Sequence, residues 1–291
     1  MILKIILKEE LKKGAEYLLH AGIKHYQLES EILLSHILEV SREKLHIRDE
    51  ADILDEKYAK WMSVLAERKK LRPIAYLLGK KEFMSMDFFV DENVLIPRPE
   101  TEFLVEKVQE LARDKRNFPW WIIDLGAGSG NIAVSLLKHL NEGLVFATDI
   151  SGDALKVAKK NAEKHNVENR IVFFEGCWFL PFEGKNLEGK MDFIVSNPPY
   201  LTRVEMDSIT PDVGYEPKKA LYGGEDGLRF YPGIINGALK FLKPGGYLIL
   251  EIGVEHKEKI LNLIDNGGYD KPEVIKDYSG FDRVIAVRKT V

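Results

Sequence analysis

The stretch Asp124-Leu-Gly-Ala-Gly-Ser-Gly130 decides the fold of this 291-residue chain. It follows an apolar, β-rich run, Trp120–Asp124, and precedes a helical pattern over Asn131–His139. Gly126, Gly128 and Gly130 free the backbone for left-handed angles and for close approach by a guest. A strand, a glycine turn and a helix in that order make a ligand-binding edge at the carboxyl end of an open α/β sheet. The spacing is G-x-G-x-G. Nicotinamide and flavin sites use G-x-G-x-x-G, but the sixth position here is Asn131. No Gly-Lys-Ser/Thr follows, so a phosphate is not the obvious guest. The plain alternative is a turn that binds nothing, and the strand–turn–helix context argues against it.

Asp149 ends the next apolar run, Leu144–Asp149, 25 residues after Asp124. A carboxylate there can accept both hydroxyl protons of a ribose. It can also simply cap the following helix. Ser151 and Asp153 are available for that cap, which favours the ribose role.

Outward from the loop, short apolar runs alternate with helical stretches. Further runs are Ile171–Glu175, Phe193–Ser196 and Tyr247–Ile252, and Asp153–His165 is helical. Near-continuous apolar runs suit strands buried on both faces. The alternation predicts a doubly wound, mostly parallel α/β sheet. A last run, Arg283–Val287, follows Ser279–Gly280 and is expected at a sheet edge.

The first 72 residues read as all-helical. Leu11, Ala15 and Leu18 form one apolar stripe. Leu34, Ile37 and Leu38 form a second, and Tyr58, Trp61, Met62 and Leu65 a third. Asp55 is placed to cap the third helix, and Pro73 ends it. Such helices pack as a small bundle. Phe83, Phe88, Phe89 and Val90 between turn residues predict a hairpin. The expected organisation is a bundle over 1–73, a linker hairpin over 74–96 and an α/β domain over 97–291.

A second chemical signal follows the run Phe193–Ser196: Asn197-Pro198-Pro199-Tyr200. Neither proline has an N–H, so the ladder stops there. The Pro198 carbonyl and the Asn197 side-chain oxygen can both accept protons from one planar NH2 group, and Tyr200 can offer it a flat face. An amide or an exocyclic amine has such a nitrogen, with a delocalised lone pair. Acceptors that fit the developing positive nitrogen better than the planar ground state would localise that pair. The bland reading is a strand-ending turn, since Asn-Pro starts turns.

Together, DLGAGSG, Asp149 and NPPY resemble the class I S-adenosylmethionine-dependent methyltransferases that modify planar amino nitrogens. More narrowly, the chain resembles the peptide chain release factor N5-glutamine methyltransferases (the PrmC/HemK family). Leu95–Glu102 (LIPRPETE), Arg72–Gly79 with Glu82-Phe83, Glu216-Pro217, Ala220-Leu221, Gly223–Leu228, Lys276-Asp277 and Asp282–Val284 carry the likeness further. The resemblance implies a Rossmann-like catalytic domain. It implies methyl transfer from S-adenosylmethionine to the side-chain nitrogen of the glutamine in the Gly-Gly-Gln tip of a class 1 release factor, leaving S-adenosylhomocysteine. Asp124, Gly126, Ala127, Gly128, Ser129 and Gly130 would wrap the methionine and ribose part. Asp149 would hold the ribose, and Trp178 would lie beside the adenine. Asn197 would touch both cofactor and substrate. Pro198, Pro199 and Tyr200 would complete the amide pocket, and the N-terminal bundle would help dock the protein substrate. Where the family often has aspartate before this tryptophan, the chain has Cys177. A thiol is a weak acceptor, at a cost of ~1 kcal/mol of cofactor affinity.

Charge and composition narrow the alternatives. The chain has 42 basic and 46 acidic residues, a net charge of −4. Residues 73–291 alone carry 28 basic and 33 acidic residues. A nucleic-acid methyltransferase of the same fold would need a basic surface for phosphates, so stable nucleic-acid binding is not expected. Methylation of a ribosomal-protein glutamine stays open, because it presents the same amide. A cofactor-binding scaffold has no use for two amide acceptors. Seven histidines without metal-ligand spacing predict no metal. The single cysteine excludes an internal disulfide and suits a reducing compartment. No apolar run reaches membrane-spanning length, and Met1–Leu7 does not read as a signal peptide. A cytoplasmic monomer is the expectation. Trp120-Trp121 are expected to pack, Arg68-Lys69-Lys70 to be a solvated helix end, and Arg98 either to neutralise a carboxylate or to anchor the linker.

Overall fold

The computed structural model describes residues 2–113, 119–140, 142–265 and 267–291. The chain divides into two compact units. The smaller comprises Met1–Lys80 and Thr210–Tyr215, the larger Lys81–Ile209 and Glu216–Val291.

In the smaller unit the elements run β1 (Ile2–Ile6), α1 (Leu7–Leu19), α2 (Tyr26–Leu38), α3 (Arg42–Ile47), β2 (Glu50–Leu54), α4 (Asp55–Lys69) and α5 (Ile74–Leu78). The all-helical expectation is therefore corrected. β1 and β2 pair antiparallel, from Ile2 opposite Leu54 to Ile6 opposite Glu50. Ile5 and Ile53 point into the core while Ile2 and Ile6 face solvent, the two-residue alternation of a half-buried strand. Leu7, Leu18, Leu34, Ile37, Trp61 and Leu65 form the core between the helices. Gly14 lets α1 come close, since a Cβ there would sit 2.7 Å from the Trp61 ring. Two details differ from expectation on α4. Met62 is exposed and Val64 takes the inward place. Asp55 is the first residue of the helix, not the one before it. Arg68 is not solvated either: it is buried and pairs through Nε with Glu29 at 2.5 Å. Helix α4 stops at Lys69, and Pro73 instead precedes α5. Tyr215 donates its hydroxyl to the Lys70 carbonyl at 2.9 Å, so residues 210–215 belong here.

The larger unit holds β3 (Lys80–Phe83, all but its first residue), β4 (Met86–Phe89), α6 (Glu102–Arg113), β5 (Trp120–Leu125), α7 (Asn131–His139), β6 (Gly143–Asp149), α8 (Gly152–Lys164), β7 (Ile171–Glu175), β8 (Met191–Ser196), α9 (Arg203–Asp207), α10 (Lys218–Leu221), α11 (Tyr231–Phe241), β9 (Leu242–Glu251), α12 (Lys257–Ile264), β10 (Glu273–Lys276) and β11 (Asp282–Arg288). Seven strands form one sheet in the order β10-β11-β9-β8-β5-β6-β7. The five from β9 to β7 are parallel, and β11 and β10 are antiparallel. Alternate residues face opposite layers. Ile122, Val145, Val195 and Ile249 pack with α6 and α7. Ile123, Phe146, Ile194 and Leu248 pack with α11 and α12. Burial on both faces is why the runs are apolar without alternation. Trp120 and Trp121 pack against Phe193 and Phe146 respectively. The run expected at the sheet edge, β11, is interior, and β10 takes the edge.

The span 74–96, expected as a linker, divides at Lys80. The β3–β4 hairpin is bonded into the larger unit. The Phe89 N–H donates to Asn161 Oδ1 at 2.7 Å, and Asn161 Nδ2 returns a bond to the Phe89 carbonyl at 3.0 Å. The Met84 N–H donates to Glu102 at 2.6 Å.

Candidate active site

The site lies at the carboxyl ends of β5, β6, β8 and β9, three pairs of hydrogen-bonded neighbours. At β5 the chain turns through Gly126, Gly128 and Gly130 with φ of 76°, 53° and 77°. These left-handed angles are costly for any residue with a Cβ. At Gly130 a Cβ would also stand 3.1 Å from that of Ala158. The turn is tied to β6, whose Thr148 carbonyl accepts the Gly126 and Ala127 N–H groups, both at 2.9 Å. Asn161 holds it from below, donating to the Ser129 carbonyl at 2.8 Å.

Asp149 is half-buried between the turn and the next helix. Its Oδ2 accepts the Gly128 N–H at 2.8 Å and its Oδ1 the Ser151 N–H at 2.9 Å. So Asp149 is not free of local work, as the sequence suggested. It stiffens the glycine turn, while the Ser151 hydroxyl caps α8. A carboxylate has about four acceptor sites, and the Ile150 N–H also acts on this one, so about one site remains open. Burial raises its pKa, and the Ser151 and Gly128 N–H groups oppose that rise. Asp124 is fully buried and, among the described residues, no hydrogen bond of ordinary length and angle reaches either of its oxygens. Desolvation pushes it up to about 7, only partly offset by the Ala133 N–H.

The loop after β7 returns to this edge. The Gly176 N–H donates to the Asp149 carbonyl at 2.9 Å. Trp178 adopts a left-handed φ of 48°, a strained choice for a bulky residue. Its ring lies 3.7 Å from where a Cβ on Gly126 would be, and 5.2 Å from the Phe230 ring. Cys177 is half-buried with a free thiol.

The Asn-Pro-Pro-Tyr segment leaves β8 beside the turn. Ser196 opposes Leu125 in the ladder and donates its hydroxyl to the Leu125 carbonyl at 2.8 Å. Asn197 Nδ2 donates to Thr101 Oγ1 at 3.1 Å. Thr101 donates to Glu251 Oε2 at 2.6 Å, and the Tyr200 hydroxyl donates to Glu251 Oε1 at 3.2 Å. Glu251 ends β9 and is fully buried. Burial pushes its carboxyl up to about 7, against the pull of Thr101, Arg283 and Tyr200. Burial also raises the Tyr200 phenol, and the Glu251 charge adds to it. Arg98 neutralises a carboxylate, that of Glu216, which also accepts the Ile96 N–H at 2.9 Å. That pair fixes the segment leading to Thr101 against the chain beyond the Asn-Pro-Pro-Tyr turn.

Thr101, Glu251, Asn161 and Glu216 were not identified as site supports from sequence. Thr101 and Glu216 do lie in the stretches Leu95–Glu102 and Glu216-Pro217 that carry the family likeness, and Glu251 is an acid in the otherwise apolar run Tyr247–Ile252. Among the described residues no group of three or more His, Cys, Asp or Glu is arranged to hold a metal ion, and no helix is long and apolar enough to cross a membrane.

Comparison with known proteins places these features in a family. Residues 99–216 match the family described as Methyltransferase small domain, and residues 9–79 match the PrmC N-terminal domain. A release factor glutamine methyltransferase of Geobacter sulfurreducens is 37% identical over 273 residues, 94% of this chain and 93% of the relative. One of Clostridium acetobutylicum is 39% identical over 285 residues, 97% and 98% of the two chains. A methyltransferase structure from Pyrococcus furiosus is similar with a TM-score of 0.53 at 21% identity, covering 82% of this chain and all of that one, a likeness of fold.

Proposed function

We propose, from the premise that this chain belongs to the release factor glutamine methyltransferase family, that it methylates the side-chain nitrogen (N5) of the glutamine in the Gly-Gly-Gln tip of a class 1 release factor. The methyl donor in this reading is S-adenosylmethionine. The observation that carries the reading is the seating of Asn197-Pro198-Pro199-Tyr200 directly beside the glycine turn, through the Ser196–Leu125 bond of 2.8 Å.

The residues fit such a donor. A Cβ on Gly128 would meet nothing within 4 Å, so bare backbone faces open space there. The acceptor capacity that Asp149 has left suits a ribose hydroxyl. Trp178, beside the turn, offers an aromatic surface for a base. Gly126 to Gly130 would hold the methionine and ribose part. When bound, the donor supplies a methyl group activated on a sulfonium sulfur.

The chain's own part is to shape the acceptor nitrogen. Asn197 Oδ1 and the Pro198 carbonyl would accept the two N–H protons of the glutamine amide. Acceptors set for a pyramidal nitrogen bind it better than the planar ground state, which lowers the barrier. Pro199 and Tyr200 would close the pocket and exclude water. No general base is needed at the attack, because the proton becomes acidic only once the nitrogen is tetravalent. Until then Asn197 Oδ1 accepts the hydrogen bond from it, and after methyl transfer the proton leaves to solvent water.

The smaller unit is proposed to contribute to docking of the protein substrate. The reading is tested by incubating the protein with labelled S-adenosylmethionine and, in turn, release factor, ribosomal protein, DNA and RNA. Label on release factor supports it. Label on nucleic acid alone, or on ribosomal protein alone, rejects it.

A further inference from the structure

We propose that Glu251 is the positioning residue of this site: through the single proton of Thr101 it dictates which way the Asn197 amide faces. The inference rests on the reading above and deepens it. Thr101 has one hydroxyl proton and gives it to the Glu251 carboxylate at 2.6 Å. A hydrogen bond to an ionised acceptor outcompetes one to a neutral acceptor. The Thr101 oxygen is then left only as an acceptor, and it takes the Asn197 Nδ2 proton at 3.1 Å. With its nitrogen held there, Asn197 must turn Oδ1 away from Thr101. A flipped amide would set two oxygens face to face with no proton between them.

This matters for the reaction because the two faces of the amide have opposite chemistry. An oxygen accepts from a substrate NH2, whereas a nitrogen repels it. The same carboxylate anchors Tyr200 at 3.2 Å, and its backbone carbonyl accepts the Tyr231 hydroxyl at 3.0 Å. Glu251 thus fixes both ends of the tetrapeptide without touching the substrate. Its surroundings are mixed. Arg283 of β11 favours the charged form, Glu100 disfavours it, and Tyr200 faces it directly. Tyr231 from α11 completes the shell. Burial lifts the carboxyl to about 7, so the ionised form that fixes Asn197 is dominant above that pH and lost below it. When Glu251 takes a proton it can donate to Thr101, whose own proton becomes free to reach a flipped Asn197 Oδ1.

The test uses the full chain with donor and a class 1 release factor. Failure of the wild type to methylate it would sink the functional reading before the inference is reached. Glu251→Gln should lower kcat by roughly 100-fold, with KM and donor affinity changed far less. Thr101→Val should do the same, and Thr101→Ser should restore the rate by keeping the hydroxyl. The wild-type kcat should fall as pH drops through about 7, and this limb should vanish in Thr101→Val. Independently of turnover, the Asn197 side-chain N–H signals, assigned by nitrogen-15 NMR against Asn197→Ala, should be exchange-protected in the wild type and unprotected in Thr101→Val. Should Glu251→Gln fail to fold, the Thr101 pair still decides. A Thr101→Val protein that keeps its rate within about two-fold, or protected Asn197 protons in it, would overturn the proposal.

Discussion

The two halves of the site are built by different means. The donor half, at the ends of β5 and β6, is made of backbone: three left-handed glycines and the N–H groups that Asp149 and Thr148 accept. The acceptor half, at the ends of β8 and β9, is made of side chains relayed from Asn197 through Thr101 to Glu251. Even their buried acids contrast. Among the described residues Asp124 has only the Ala133 N–H acting on its carboxylate, with no well-formed hydrogen bond, while Glu251 has one on each oxygen. Backbone cradles are shaped before any guest arrives and tolerate little change in φ. Side-chain relays depend on which atom holds which proton, and they can be reversed by one titration.

That contrast can be broken by substitution. The largest effect is expected from Asn197→Ala, which should cost about 3 kcal/mol in the barrier. Donor affinity, read by calorimetry, should fall far less than the rate. If affinity and rate fell together, the two halves would not be separable. Asp149→Asn comes next. It replaces a charged acceptor of the Gly128 N–H and should weaken donor binding by about 1–3 kcal/mol, with kcat at saturating donor spared. Gly130→Ala strains a φ of 77° and crowds Ala158 at 3.1 Å. Thermal unfolding should show a loss of about 1–3 kcal/mol. Gly128→Ala has the same sign of φ but open space, so it should lose only the conformational part, about 1–2 kcal/mol. The smallest effect belongs to Met62→Ala. That side chain is exposed on α4, and its stability change should stay within about 0.5 kcal/mol.

The backbone half was legible in the sequence for the same reason that it is rigid. A glycine turn between a strand and a helix is a local event, written within seven residues. Six strands of the large sheet were legible as apolar runs; in β5, β6, β8 and β9 burial on both faces leaves few polar positions, while β7, at the edge, is only partly buried. What escaped was long-range. β1 and β2 are five residues each and separated by three helices; neither carries a signal without its partner. The interior place of β11 was hidden because β10, four residues with half-buried or exposed side chains, covers its edge. Thr101 and Glu251 lie 150 residues apart, and no spacing rule could join them to Asn197. Asp149 was read correctly as a strand-end acid, but its bonds to Gly128 and Ser151 depend on how the two turns meet.

The central claim is chemical: a planar amide nitrogen is the atom that receives the methyl group. The direct measurement is fragmentation mass spectrometry of the release factor after reaction with the wild-type protein. The account predicts one added methyl, located on the side-chain nitrogen of the Gly-Gly-Gln glutamine. A methyl found instead on a carboxylate, on the main chain or on another residue would contradict it.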